Sequence, residues 1–226
     1  MQGNGLAKKI QYTNVAADAS AAVIRRHCEV GAECGFQAVM ILPCWIPLAR
    51  EILRGSGVRI ATAVAFPPGG ETTAMKVALL REIFRMGADE ADFQPNIGFL
   101  KSRMLGRFRE EIAALVEAAQ GQPLKSMSEF GFLTEEERIL CITVAEEAGV
   151  AYIKNSSGIG PGGSAATIED IQFMKRHLKG RAKIKASGGI RTYDQAMALL
   201  AAGADLIGAS AAPEIIKGGA GKESVY

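Results

Sequence analysis

Two lysines lie at or near the ends of segments that read as buried strands. Lys154 ends "VAYIK" (150–154) and is followed by the polar, glycine-rich loop "NSSGIGPGG"; Lys185 lies in "AKIKAS" (182–187), just before "GGIR". Asp92 sits in a third such segment, "EADFQ" (90–94). Lysine is normally a surface residue, so either position alone reads first as a solvated rim; two of them with an aspartate at equivalent places read as chemistry. A free lysine has a pKa of about 10.4 and is not nucleophilic at neutral pH. A second ammonium about 4 Å away, at an effective dielectric of about 20, supplies the roughly 4 kcal/mol that lowers it by about 3 units. Desolvation against apolar walls adds to this. A neutral lysine at a strand end is suited to forming a Schiff base with a carbonyl.

The loops offer a second half-site. "SGG" (187–189) and "GAS" (208–210) follow two of the strand segments, and their glycines let backbone N–H groups approach an oxyanion. Ser210 is placed to cap a short helix whose N-terminus favours phosphate. Each loop taken alone is equally consistent with a tight strand-to-helix turn, and "PPGG" (67–70) reads as a turn only.

These residues need a scaffold that brings strand ends together. Apolar or β-branched runs occur at 8–12, 37–42, 58–66, 90–94, 123–128, 150–154, 182–187 and 204–210. Helical patterns lie between them, among others Thr73–Met86, Met104–Ala119, Glu135–Ala148, Ile168–Leu178 and Asp194–Ala202. Thr134 and Thr167, each followed by acids, are start signals, and "GADE", "GV" and "GADL" are stops. The strands are near-continuous apolar runs, as in a parallel sheet covered on both faces. Eight strand–helix units of about 28 residues predict an α/β fold, a single (β/α)8 TIM barrel over residues 1–217, with 218–226 as a flexible tail. A doubly wound open sheet is the alternative, but no G-x-G-x-x-G follows the first strand. In a barrel the site lies at the C-terminal ends of the strands, where Asp92, Lys154, Lys185 and "IGAS" all fall.

Composition narrows the function. The chain of 226 residues is 48% hydrophobic and 22% charged with a formal charge of +2, which argues against nucleic acid or an anionic membrane as partner. No apolar run approaches the roughly 20 residues that span a bilayer, and "MQGNGLAKK" lacks the apolar core of a secretory signal. Cys28, Cys34, Cys44 and Cys141 have no metal-site spacing, with only His27 and His177 to join them. Free, mostly buried thiols in a cytoplasmic protein are expected.

Across "VAFPPGG" (64–70), "GADEADFQPNIG" (87–98), "LKSMSE" (124–129), "YIKNSSG" (152–158), "GGSAATIEDI" (162–171), "IKASGGIRT" (184–192) and "IGAS" (207–210), the chain resembles the class I deoxyribose-phosphate aldolases. The resemblance implies reversible cleavage of 2-deoxyribose 5-phosphate into acetaldehyde and glyceraldehyde 3-phosphate, without metal or organic cofactor. It implies that Lys154 forms the Schiff base, that Lys185 is the cation lowering its pKa, and that Asp92 relays protons through a water. Gly158, Gly188, Gly189 and Ser210 would hold the substrate phosphate. Some members of the family end in a tyrosine that assists proton transfer at the imine carbon, and Tyr226 would take that part. The partners are then a sugar phosphate and an aldehyde; a homodimer or homotetramer is left open.

Several positions depart from the family's pattern. Gln11 stands where an aspartate is usual, Gln94–Pro95 replaces an apolar pair, Asn155 replaces a threonine, and Ala211 replaces a second serine. If the early aspartate supports the relay, Gln11→Asp should raise the rate. Because the departures touch the substrate pocket, two other readings stand beside the first. One is a lysine-dependent aldolase or dehydratase for another phosphorylated sugar; the other is a non-catalytic barrel that binds without turnover.

Overall fold

The computed structural model describes residues 3–160 and 162–218. Eight strands, β1 (Ile10–Asn14), β2 (Ala38–Ile41), β3 (Arg59–Val64), β4 (Glu90–Phe93), β5 (Leu124–Met127), β6 (Tyr152–Lys154), β7 (Lys183–Ser187) and β8 (Leu206–Ala209), close into one barrel in chain order. Each pairs in parallel with the next, and β8 returns to β1. All eight predicted strands are present, most of them a residue or two shorter at their ends.

Helices cover the outside. Thr73–Met86 is a helix over the span read from sequence, capped by the Thr72 side chain and ended by Gly87 in a left-handed conformation. Glu135–Glu147 begins with a full capping box from Thr134 and Glu137, and Ile168–His177 begins at Thr167. The inner faces of these helices and the outer face of the sheet form one continuous apolar core, including Ile24, Leu80, Phe108, Ile142 and Met174.

Inside the barrel the two halves differ. From β2 and β3, Ala38, Met40, Ala61 and Ala63 make a small apolar cluster with Val15. The opposite wall is polar: Gln11, Glu90, Asp92, Lys125, Lys154 and Lys185 are all buried. The near-continuous apolar reading of the strands therefore holds for their outward residues and fails for the inward ones of β1 and β4–β7. The expectation of mostly buried thiols is also corrected: Cys28 and Cys141 are buried, Cys34 is half-buried and Cys44 is exposed, all four free. Among the described residues, no helix is long and apolar enough to cross a membrane.

Candidate active site

The register of the barrel assembles the site. Asp92 on β4 is level with Lys125 on β5, and Lys154 on β6 is level with Lys185 on β7. Asp92 is wholly buried, and its Oδ2 accepts from Lys185 Nζ at 2.6 Å and from Lys154 Nζ at 3.2 Å. Lys125 Nζ lies 3.3 Å from Asp92 Oδ1 and 2.6 Å from Glu90 Oε2. Glu90 is further held by Arg59 at 2.9 Å and by Gln37 at 2.6 Å. A column of alternating charge thus runs from Lys154 to the exposed Arg59.

Charge and burial set the protonation of these groups. Burial alone would push the Asp92 carboxyl up, but the ammonium groups of Lys185, Lys125 and Lys154 outweigh it and hold it well below the usual carboxylate range. Glu90 is likewise brought down to about 2 against its own burial, chiefly by Lys125. Lys125 is raised: its burial opposes charge, and Asp92 and Glu90 together restore it. Lys185 goes the other way, down to about 7; burial dominates, Asp92 opposes it, and the cations Lys154 and Lys125 add to it. The resemblance implies Lys185 as the cation beside Lys154; its surroundings bring that amine down to titrate near neutrality.

Only one of the three amines reaches the substrate side. A cavity of about 130 Å³ opens at the C-terminal end of the barrel, and Lys154 is in its wall with Thr13, Met40, Phe66 and Ile159. Lys185, Lys125 and Asp92 are not part of that wall. The remaining wall is the glycine-rich half-site: Gly158, Gly188, Gly189 and Ser210 all line the same cavity. Gly188 has φ +102°, and a Cβ there would lie 2.3 Å from the Ser164 carbonyl oxygen. A Cβ at Gly158 would lie 3.2 Å from the Gly188 Cα, so the loops after β6 and β7 meet through bare backbone. Ser210 does not cap the last helix, Ala212–Ile216, whose N-cap position is Ala211 and carries no side-chain bond. The helix starts at Ala212, where the sequence places it, so its cap position is Ala211 and the expected cap at Ser210 falls one residue early. Tyr226 lies outside the described residues.

Three residues around the site carry no individual assignment from the sequence. Lys125 was legible only as part of "LKSMSE"; its place two residues into an apolar strand was the available signal. Arg191 lines the cavity beside Gly189 and Ile190. Gly208 leaves room for Lys185, since a Cβ there would be 3.2 Å from Lys185 Cε. Two departures from the family pattern also find their structural place. Asn155 and Ser187 exchange two bonds, Nδ2 to the Ser187 carbonyl at 3.0 Å and Oδ1 from the Ser187 N–H at 2.9 Å, tying β6 to β7. The Gln94 side-chain Nε2 donates to the Met127 carbonyl at 3.2 Å, while the Gln94 backbone carbonyl accepts from Lys76, itself paired with Glu111 at 2.9 Å in a fully buried bridge.

No family model matches the chain. Individual proteins do. It is 41% identical over 213 residues to a deoxyribose-phosphate aldolase of Dictyoglomus turgidum, covering 94% of this chain and 96% of that one. It is 38% identical over 222 residues to the enzyme of that name from Thermococcus gammatolerans, covering 96% and 98%. The solved structure of QR15, an aldolase, superposes with a TM-score of 0.89 at 32% identity, covering 94% of both chains. With a closed eight-stranded barrel, an amine at the cavity wall and near full-length relatives of one name, the chain belongs to the deoxyribose-phosphate aldolase family.

Proposed function

We propose that this chain is a Schiff-base aldolase that cleaves 2-deoxyribose 5-phosphate, with Lys154 as the nucleophile. The observation that carries the assignment of Lys154 is its place in the cavity wall with a buried amine and carboxylate directly behind it. Lys185 shares Asp92 Oδ2 with Lys154 and titrates near 7, so it is the base positioned to receive the proton Lys154 sheds before attack.

The amine of Lys154 adds to the C1 aldehyde of the open-chain sugar, and loss of water gives the iminium. Removal of the C3 hydroxyl proton then breaks the C2–C3 bond, its electron pair moving into the enamine on Lys154 and glyceraldehyde 3-phosphate departing. Protonation of the enamine at C2 and hydrolysis release acetaldehyde and the free lysine. Asp92, ionised and between the amines, passes protons along this sequence, and Tyr226 is assigned the protonation at C2. Gly158, Gly188, Gly189 and Ser210 hold the phosphate through backbone N–H groups and the serine hydroxyl, with Arg191 beside them.

The test is reductive trapping. With acetaldehyde and a borohydride reagent, the protein should gain one reduced ethyl adduct, located on Lys154 by peptide mass spectrometry, and acetaldehyde should be released from 2-deoxyribose 5-phosphate. An adduct on another lysine overturns the assignment of Lys154; trapping on Lys154 without activity on that sugar phosphate transfers the enzyme to another substrate.

A further inference from the structure

Gln11 lies at the centre of the charged column. Its Oε1 accepts from Lys185 Nζ at 2.5 Å, and its Nε2 donates to Gln37 Oε1 and Glu90 Oε2, each at 2.8 Å. The side chain is wholly buried, and all of these partners lie on other strands or their flanks. An aspartate here would be one methylene shorter, could not donate, and would set a second carboxylate against Glu90.

The charge count inside the barrel turns on this residue. Three buried lysines, Lys125, Lys154 and Lys185, face two buried carboxylates, Glu90 and Asp92. Lys185 is met by Gln11 from β1, Asp92 from β4, Lys125 from β5 and Lys154 from β6, while β8 presents Gly208. From β2 and β3 the facing residues are Met40, Ala61 and Ala63, with Arg59 paired to Glu90 at the far end. Glu129, after β5, is buried, bonded to the Ser157 backbone N–H and within reach of the Lys154 charge; in the count it is offset by the Arg59 guanidinium on Glu90. The cluster is therefore one negative charge short of balancing three ammonium groups, and in a low-dielectric interior an unbalanced charge is removed by losing a proton.

We propose that Gln11 is a positioning residue that holds Lys185 by its amide oxygen and, being uncharged, keeps one amine of the buried cluster unprotonated at neutral pH. This reverses the sense expected from the sequence, in which an acid at position 11 is the better relay. A carboxylate at 11 completes the charge balance, retains the amine's proton, and slows imine formation near pH 7.

The inference rests on Lys154 as the imine-forming residue, and the experiment separates the two. Cyanoborohydride trapping with acetaldehyde is followed by intact mass as a function of pH in the wild type, Gln11→Glu, Gln11→Met, and Gln11→Glu combined with Glu90→Gln. The near-isosteric charged variant should raise the pH midpoint of trapping by at least about one unit, a tenfold change in proton affinity. Gln11→Met, which loses the contact but keeps the charge count, should slow trapping with its midpoint within about half a unit of wild type. Moving the charge back with the double substitution should return the midpoint to the wild-type value. An unmoved midpoint in Gln11→Glu, or an equal rise in Gln11→Met, overturns the charge-balance role. Absence of any Lys154 adduct in the wild type overturns the nucleophile instead.

Discussion

Replacing Lys185 with methionine should make this protein more stable at neutral pH while destroying its activity. Met keeps the stem and discards the amine, whose burial is nearly complete at 1% exposed. In the folded chain that amine titrates at about 7 against an ordinary 10.5. Each unit costs about 1.4 kcal/mol, so the fold gives up about 5 kcal/mol below pH 7 to keep the group where it is. The variant removes that cost but strands the Gln11 amide oxygen, worth about 1–3 kcal/mol, while Asp92 Oδ2 loses one donor and keeps Lys154, leaving a net gain of at most roughly 2–4 kcal/mol. The pH dependence is the sharper signature. Between about 7 and 10.5 the unfolded chain carries the proton and the folded chain does not, so wild-type stability rises with pH across that window. By pH 9.5 the wild type should have recovered about 3 kcal/mol relative to the variant, and the two should be close to level. Urea unfolding of both proteins at pH 6.5 and 9.5, followed by far-UV circular dichroism, reads the difference directly. Groups common to both proteins, such as Glu90 and Asp92, are ionised at both pH values and cancel. A stability difference that stays constant from pH 6.5 to 9.5 would refute the reasoning, because it would mean Lys185 holds its proton throughout.

Two further outcomes test the geometry around this amine and the end of the chain. Gly208→Ala puts a Cβ 3.2 Å from Lys185 Cε and 3.3 Å from Ser187 Oγ, so the lysine arm must shift; kcat should fall about tenfold, near 1.4 kcal/mol of barrier, while Tm moves by less than about 4 °C. An unchanged kcat would show that Lys185 has slack. Tyr226→Phe should lower turnover at least about tenfold and leave reductive trapping of Lys154 intact, since the phenol is assigned to a step after imine formation. Wild-type turnover after deletion of residue 226 would remove Tyr226 from the mechanism.

The fold was legible because its signals are local. Strand-length apolar runs, capping threonines and helix-ending glycines recur in alternation, and each reports on a few neighbouring residues. The placement of Lys154 at a strand end was legible for the same reason, whereas Lys185 and Asp92 lie within their strands. What escaped depends on contacts between residues far apart in sequence. Lys125 has its meaning only because the register sets it level with Asp92 and above Glu90. Gln11 looked like a missing acid because its partner Lys185 is 174 residues away, and no local pattern displays that bond. Ser210 failed as a cap over a shift of one residue, below what helix-start signals resolve. Asn155 and Gln94 appeared as departures, yet both are buried and bond across strands, Asn155 through both ends of its amide and Gln94 through its Nε2.

The division of the barrel interior into two walls has a practical side for anyone wishing to change what the enzyme accepts. Met40 and Val15 reach the cavity from the apolar wall, and Ala61 and Ala63 pack behind them with no hydrogen-bonding side-chain atoms to satisfy. Volume can be added or removed there as in any hydrophobic core, at the cost of cavity or crowding terms alone. On the lysine side, every substitution changes a charge balance shared by five residues, and its effect will depend on what the other four are. Pocket size and proton chemistry are thus tunable on separate strands: a library built on β2 and β3 can search for new aldehydes without re-solving the electrostatics of the amine that attacks them.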